Sequence, residues 1–314
     1  MNATQPSSCF NSTAEKSGMI FAYCLIFIAS LSGNTVIGMI VYKTRTMRKP
    51  INFFIVNMAM SDLLIPIFVI PTRIQRLYID SWLIGGPLGQ ASCRLMTFLG
   101  DVSSTVSVES LVLIALDRFG AVVYPLRSPL IRSKLCSFVI LATWIVALAV
   151  NSPEFIVRKL VEHKEKLVCE RNWNKVFGES SSSENYLLSY IVLFAFIPLV
   201  LIAIIYITIY LKLKSQKIPG EQSANTGQQR QQRERNVLKM AIAIVLSFAV
   251  CWLPFAIWLI LFFFTDTMIW QTCGGQYFAT VVSFLAIANC AINPFICFIF
   301  SRNVRSEFNK TLFR

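Results

Sequence analysis

The stretch from Cys93 to Tyr124, CRLMTFLGDVSSTVSVESLVLIALDRFGAVVY, reads as a single apolar helix with a chemically marked residue at each end. From Cys93 to Arg118 a helix rises about 37 Å, a little more than the roughly 30 Å of a bilayer's hydrocarbon core. The two ends therefore face opposite sides of a membrane. Between them Asp101, Ser103, Ser104, Thr105, Ser107 and Glu109 interrupt the run. Polar groups at that depth are costly against lipid, so this helix belongs in the middle of a bundle, facing protein or water.

The rest of the chain fits around it. Of 314 residues, 55% are hydrophobic and only 14% charged, which is too apolar for a soluble domain. Seven stretches are long and apolar enough to span: Gly18 to Tyr42, Asn52 to Gln75, Gln90 to Val123, Cys136 to Ser152, Tyr186 to Leu211, Val237 to Phe264 and Gly275 to Phe300. The expected fold class is an all-α membrane protein, a seven-transmembrane helix bundle with a short amphipathic helix after the seventh span. Residues 1–17 then form an extracellular N-terminus, 18–300 the seven-helix domain, and 301–314 a cytoplasmic amphipathic helix and tail. The first apolar run exceeds a signal-peptide core and lacks a small-residue cleavage site, so it reads as a retained signal anchor.

Orientation follows from the basic residues. Most of the 29 Lys and Arg fall in the first, second and third inner connections and the tail, for example Lys43, Arg48, Arg132, Lys212, Arg233 and Arg305. That bias places the amino terminus outside and the carboxyl terminus in the cytoplasm. The net charge of +13 is then a topology signal with some attraction to anionic membrane lipids, and calls for no nucleic-acid partner. On the outer side, Asn2-Ala3-Thr4 and Asn11-Ser12-Thr13 are glycosylation acceptors. Four of the nine cysteines, Cys9, Cys93, Cys169 and Cys273, face the oxidising exterior. Cys93 with Cys169 in the long outer loop is the favoured disulfide; Cys9 with Cys273 is either a second one or two free thiols.

Several polar residues sit where lipid would reject them. Asn34 is a buried amide that needs a partner. Asp62 lies about 15 Å into the second span, and an ionisable group at that depth is a functional candidate. Ser107, Asn289 and Asn293 share its level, and four oxygen-bearing side chains around one cavity suit a small hard cation. Pro66 and Pro71 are expected to kink the second helix, and Pro198 leaves a carbonyl free to let the fifth bulge. Cys251-Trp252-Leu253-Pro254 places a bulky ring beside a proline hinge, with Phe248 one turn earlier; this is either a coupling device or ordinary aromatic packing. Trp82 to Gly89 reads as a short outer turn, Glu154 to Glu184 as a long loop containing an extended hairpin, and Ile218 to Arg235 as disordered. The tail spaces Val304, Phe308 and Leu312 among basic residues, as in an amphipathic helix on the inner membrane surface.

Asp117-Arg118-Phe119, Cys251-Trp252-Leu253-Pro254 and Asn293-Pro294, with Asn34, Asp62, Trp144 and Pro198, resemble the one-per-helix signature of rhodopsin-like G-protein-coupled receptors. The resemblance implies that Arg118 is restrained at rest by Asp117 and Glu234 and released as the sixth helix moves outward to admit a heterotrimeric G protein. It implies that Val108, Pro198 and Phe248 repack on activation beside Trp252, and that Asp62, Ser107, Asn289 and Asn293 hold a sodium ion that stabilises the resting state, with no other cofactor. Three positions depart from the pattern. The motif Asn-Pro-x-x-Tyr ends in Cys297, removing the phenol that would reach Tyr206 through water. Phe119 replaces the usual Tyr, and Cys290 stands where a Ser often completes the sodium shell.

The resemblance also bears on the ligand. The seventh span has no Lys for a retinal Schiff base, and Gly100 stands where amine receptors carry an Asp. The long loop around Cys169 looks more like neuropeptide receptors, with Gln75, Asp101, Ser104, Phe255, Leu259 and Ser283 as expected pocket residues and a non-peptide small molecule as the alternative. A peptide outside, a G protein inside and a plasma-membrane location are the partners and place implied. Ser301, Ser306 and Thr311 are few for a phosphorylation code, so arrestin recruitment is expected to depend weakly on the tail. A channel or transporter would need a continuous polar path or paired broken helices, which the sequence lacks. An enzyme is disfavoured because the single His, His163, falls in an outer loop.

Overall fold

The computed structural model describes residues 12–79, 81–124, 131, 133–163, 165–178, 182–215, 224–265, 269–270 and 272–312, with the side chains of 133–134, 224–231, 233–235, 237, 302–303 and 311–312 outside the description. Asn2, Cys9 and Asn11 fall outside it, and so does the side chain of Glu234. Among the described residues, six helices are long and apolar enough to cross a membrane: Thr13–Lys43, Pro50–Tyr78, Leu135–Val157, Ser183–Ser215, Leu238–Phe264 and Cys273–Phe300. The remaining long helix, Gly86–Val123, has 38 residues and carries Asp101, Ser103, Ser104, Thr105, Ser107 and Glu109 along its middle. It is the stretch singled out above, and its polar residues are tolerated because it lies centrally, packed against the second, fourth and fifth helices.

The boundaries differ from the sequence reading in instructive ways. The first helix starts at Thr13, before the apolar run that begins at Gly18, because Ser12 caps it by accepting from the Glu15 N–H at 3.1 Å. Gly86 opens the third helix with Pro87 in its first turn, so half of the expected turn is helical. From Ala224 the segment expected to be disordered is helix, continuous with the sixth span to Phe264. Gln, Arg and Glu are good helix formers, and an apolar helix already nucleated below them extends at little cost.

Two spans are interrupted as the prolines require. Wide turns with π geometry occupy Ile65–Val69 in the second helix and Val192–Phe196 in the fifth. Pro66 and Pro198 have no N–H to give the residue four positions earlier, and the looser turn absorbs the clash. Close approach is arranged elsewhere by Gly33, where a Cβ would stand 2.7 Å from the Pro294 Cβ. The adjacent Asn34 uses that proximity, its Nδ2 donating to the Cys290 carbonyl at 3.0 Å and to the Ser30 carbonyl at 2.9 Å. The mid-helix amide thus finds its partner and ties the first helix to the seventh.

Asn57 plays the same part for three other helices. Its Nδ2 donates to Ser110 Oγ at 2.9 Å and to Thr143 Oγ1 at 3.2 Å, and its Oδ1 accepts from Trp144 Nε1 at 2.8 Å. The tail helix Arg302–Leu312 turns back under the bundle, Val304 buried against Ile40, Val41 and Met47 and Phe308 edge-on to Phe298 at 5.3 Å. Glu307 accepts from Thr44 at 3.2 Å and from Lys310 at 2.7 Å, and the Lys310 ammonium holds its carboxyl below the usual range.

Interhelical hydrogen bonds in membranes average about 0.6 kcal/mol each. Asn57→Leu, which keeps the branched shape and removes all three, is expected to cost about 2 kcal/mol and to lower the thermal midpoint of purified protein. Trp144→Phe, which removes one, should lower it by about a third as much.

Candidate functional site

At one end of the bundle the chain between the fourth and fifth helices forms a hairpin, strands β1 (Arg158–His163) and β2 (Lys166–Arg171), paired antiparallel from Arg158 opposite Arg171 to His163 opposite Lys166. The expected hairpin is therefore present, and Cys169 in β2 is disulfide-bonded to Cys93 at the start of the third helix, with the Cα atoms 5.6 Å apart. Cys273 is also disulfide-bonded. The loop after the second helix is strapped to the same hairpin: Trp82 N donates to the Leu167 carbonyl at 2.6 Å and Leu167 N donates to Ser81 Oγ at 3.1 Å.

Beneath the hairpin lies a mouth of charge and aromatic rings. Glu154, at the end of the fourth helix, accepts from Arg158 at 3.1 Å and from Arg171 at 2.8 Å, so one carboxylate clamps both ends of the hairpin. Arg171 also lies over the Trp173 ring at 4.8 Å. Trp173, Tyr186, Tyr190 and Phe194 form a run of neighbouring rings down the fifth helix. Tyr190 meets Thr105 at 3.0 Å, and Asn151 donates to the same Thr105 hydroxyl at 2.9 Å, joining helices three, four and five. Asp101 sits one turn above Thr105 on the third helix, and its carboxylate has no hydrogen bond or ion pair among the described residues.

The residues expected to form the ligand pocket are distributed unequally over this geometry. Asp101 and Ser104 lie on the third helix below the hairpin, the latter donating back to the Gly100 carbonyl at 3.0 Å. Phe255 stands edge-on to Trp252 and packs on Trp258, while Leu259 and Ser283 are half-buried on the sixth and seventh helices. Gln75 is set apart: its amide donates to the Ser81 carbonyl at 3.0 Å, and the side chain lines a lateral groove between the first two helices. The sequence reading missed Glu154, Arg158, Arg171, Tyr190 and Trp258, because the hairpin's register and the helix rotations that bring them together are tertiary facts. Trp258 carries a buried indole N–H with no partner among the described residues.

At mid-depth Asp62 meets two of the residues expected beside it, Ser107 and Asn293. Asp62 accepts from Ser107 Oγ at 2.8 Å and from Asn293 Nδ2 at 2.8 Å, and Ser61 lies 3.0 Å from Ser107. Asn289 Oδ1 and Asn293 Oδ1 are buried nearby with no partner among the described residues. Buried oxygens left unpaired beside a carboxylate call for a water or a hard cation, and this donor set fits the latter. Cys290 spends its thiol on the Ile287 carbonyl at 3.0 Å.

Towards the opposite end, Phe248 stacks on Trp252 with centroids 5.8 Å apart, within a core that includes Val108, Ile114, Ile202 and Tyr206. Leu199 beside Pro198 packs against this core. The Tyr206 hydroxyl is buried without a partner among the described residues, and Cys297, where a phenol was expected by resemblance, is buried as a thiol. Arg118 is held by Asp117, through Nη2 and through Nε at 3.1 Å.

A helical bundle crossing the membrane several times, with a roofed polar mouth at one end, an arginine latch at the other and a polar cluster between, has the build of a signalling receptor. Residues 33–297 match the 7 transmembrane receptor (rhodopsin family) profile, and the chain belongs to that family. It is 29% identical over 304 residues to a QRFP-like peptide receptor of Branchiostoma floridae, covering 95% of this chain and 78% of that one. It is 31% identical over 300 residues to the RYamide receptor of Drosophila melanogaster, covering 93% and 62%. Identity to the human neuropeptide FF receptor 1 is 32% over 324 residues, covering 96% and 72%.

Glu154→Gln retains the length of the clamp but cannot serve two guanidinium groups as a carboxylate does. Amide exchange across residues 158–171 is expected to accelerate about tenfold, with the disulfide intact, in hydrogen-exchange mass spectrometry.

Proposed function

We propose that this receptor resides in the plasma membrane with its hairpin end outside, binds a peptide in the mouth beneath the hairpin, and activates a heterotrimeric G protein at the Arg118 end. The observation that carries the reading is the layout of the third helix. Asp101 and Thr105 stand near its hairpin end, Ser107 joins the Asp62 cluster at mid-depth, and Asp117 with Arg118 closes the other end. One rigid rod thus touches the ligand mouth, the cluster and the latch. The distribution of basic residues supports the orientation. The printed names of the relatives, receptors for QRFP-like peptide, RYamide and neuropeptide FF, support a peptide.

Asp62 is the control element in this reading. A sodium ion at Asp62, coordinated also by Ser107, Asn289 and Asn293, adds contacts to the resting packing of helices two, three and seven. A peptide favours the packing in which the sixth helix has swung away from Arg118. Ion and peptide therefore bias one two-state bundle in opposite directions, and each weakens the other by the same factor. Releasing Arg118 requires breaking its bonds to Asp117. The buried Tyr206 hydroxyl has no phenol at position 297 to join, so the active packing gains less than it would with Tyr there.

The test is peptide-driven nucleotide exchange on purified G protein with the receptor in nanodiscs, using amidated neuropeptides ending in Arg-Phe or Arg-Tyr. Wild type should respond, and sodium should weaken peptide affinity while raising the thermal midpoint of the peptide-free receptor. Asp62→Asn should remove both sodium effects. Cys297→Tyr should raise the basal exchange rate several-fold. Truncation after Ser301 should leave arrestin recruitment largely intact. Sodium effects that persist in Asp62→Asn would place the ion elsewhere.

A further inference from the structure

Between the hairpin-side ends of the first and second helices lies a groove of about 920 Å³, lined by Cys24, Phe27, Ile28, Ile70, Pro71, Ile74, Gln75, Tyr78, Ile79 and Leu83. Its volume falls in the range of ligand sites, about 300–1,000 Å³. It opens sideways rather than into the mouth below the hairpin, for Ile28, Tyr78, Ile79 and Leu83 are all exposed. In a chain that spans the membrane, a lateral opening on these helices faces lipid.

We propose that this groove is a binding site for a membrane sterol, oriented with its hydroxyl at the Gln75 end and its rings running inward along Phe27, Ile28, Pro71 and Ile74. The site is separate from the peptide mouth, and the proposal shares only the orientation adopted above, which makes the occupant an outer-leaflet lipid. Three observations select a sterol from the lipids that could reach it.

The first is a graded polarity. Gln75 and Tyr78 supply the polar groups towards the membrane-surface end, and over the about 10 Å of helix from Tyr78 back to Pro71 the other groove-lining positions, Ile74 and Pro71, are apolar. An occupant with one small polar end and a long apolar body matches that gradient. The second is the state of Gln75. Its Nε2 is spent on the Ser81 carbonyl, and Ser81 is itself fixed by Leu167 N of the hairpin, so the amide cannot turn freely. Its Oε1 is left as an acceptor with no donor among the described residues. A sterol hydroxyl can donate to it, whereas a phosphodiester cannot. Neither basic side chain of this helix, Arg73 nor Arg76, lines the groove, and Arg76 lies over the Trp82 ring at 5.6 Å.

The third is the wall itself. Ile28, Ile70 and Ile74 are β-branched and stiff at χ1, and Pro71 has no rotor to lose. A rigid ring system seated against rigid walls gives up little freedom, while an acyl chain would lose many rotamers for the same contact. The hairpin enters this argument through Ser81, because the strap that holds the loop also presets the Gln75 acceptor.

The test uses the full receptor in nanodiscs containing a diazirine-bearing sterol, with crosslinked peptides mapped by mass spectrometry. Label is expected on residues 24–28 and 70–83. It should fall about fivefold with excess unlabelled cholesterol, with the 3-O-methyl ether of the probe in place of the alcohol, and with Gln75→Leu. Ile28→Trp, which fills the groove without touching Gln75, should also abolish the label, and retention of the Cys93–Cys169 disulfide reports that either variant is folded. The proposal fails if label spreads evenly over lipid-facing helices, if groove label is indifferent to the hydroxyl or to Gln75, or if a phospholipid bearing the diazirine on its acyl chain labels the groove equally. None of these outcomes depends on peptide response, so they separate this site from the peptide reading.

Discussion

The bonds that Asp62 makes across the middle of the bundle set the terms for much of the rest. A carboxyl group at that depth is expensive unless its oxygens are occupied, and Ser107 of the third helix and Asn293 of the seventh occupy them at 2.8 Å each. Satisfying one side chain therefore fixes the second, third and seventh helices against one another. Ser61 extends the cluster to a second serine contact, and Ser103 donates to the Ser61 carbonyl at 2.8 Å. Asn34 and Asn57 repeat the logic, joining the first helix to the seventh and the second to the third and fourth. Apolar side chains fill the space between these ties but cannot choose among rotations of a helix, since lipid would cover them equally well.

That division explains what could be read from the chain. Span number and the central place of the third helix follow from hydropathy and from the cost of polar atoms in lipid, which are properties of sequence. The two partners of Asp62, Ser107 and Asn293, were legible for the same reason, because they lie at its depth whatever the helix rotations. The cap at Ser12 was legible too: Ser12 stands three residues before Glu15, a pattern that marks helix starts, though the reading gave Asn11-Ser12-Thr13 only to glycosylation. Gln75 shows the limit. Its depth suits a ligand pocket, but the wide turn at Ile65–Val69 redirects the helix beyond it, and the side chain lines the lateral groove instead. Glu154 as the clamp of the hairpin was equally out of reach, since it depends on the register that places Arg158 opposite Arg171.

The hairpin end is the most heavily cross-linked part of the molecule. A disulfide, the Glu154 clamp and the strap from Trp82 and Ser81 to Leu167 all converge on it. Rigidity there has a physical use, because a site whose walls are already ordered does not spend binding energy on ordering them. Beneath it, among the described residues, the half-buried Asp101 carboxylate has no hydrogen bond or ion pair and the Trp258 indole N–H is buried without a partner. Polar groups buried without partners raise the free energy of the empty state, and a ligand that completes them recovers it.

The sixth helix is built differently. Among the described residues it makes no side-chain hydrogen bond to another helix; Ser247 bonds within its own turn, to the Ile244 carbonyl at 2.8 Å. What holds it is a ladder of rings, Phe248 on Trp252, Trp252 against Phe255 and Phe255 on Trp258, with Pro254 set among them. Dispersion between ring faces is strong in sum but weakly directional, so sliding or turning such a helix costs little compared with breaking a bond like Asn293 to Asp62. Pro254 removes one backbone bond at the same level and makes bending there cheaper still. The ladder also joins the two ends of the span, since Trp258 lies near the ligand mouth and Phe248 in the core with Tyr206. A displacement of Trp258 would therefore act on a helix that, among the described residues, has no side-chain hydrogen bond to another, while the helices bearing Asp62, Ser107 and Asn293 are tied by directional bonds.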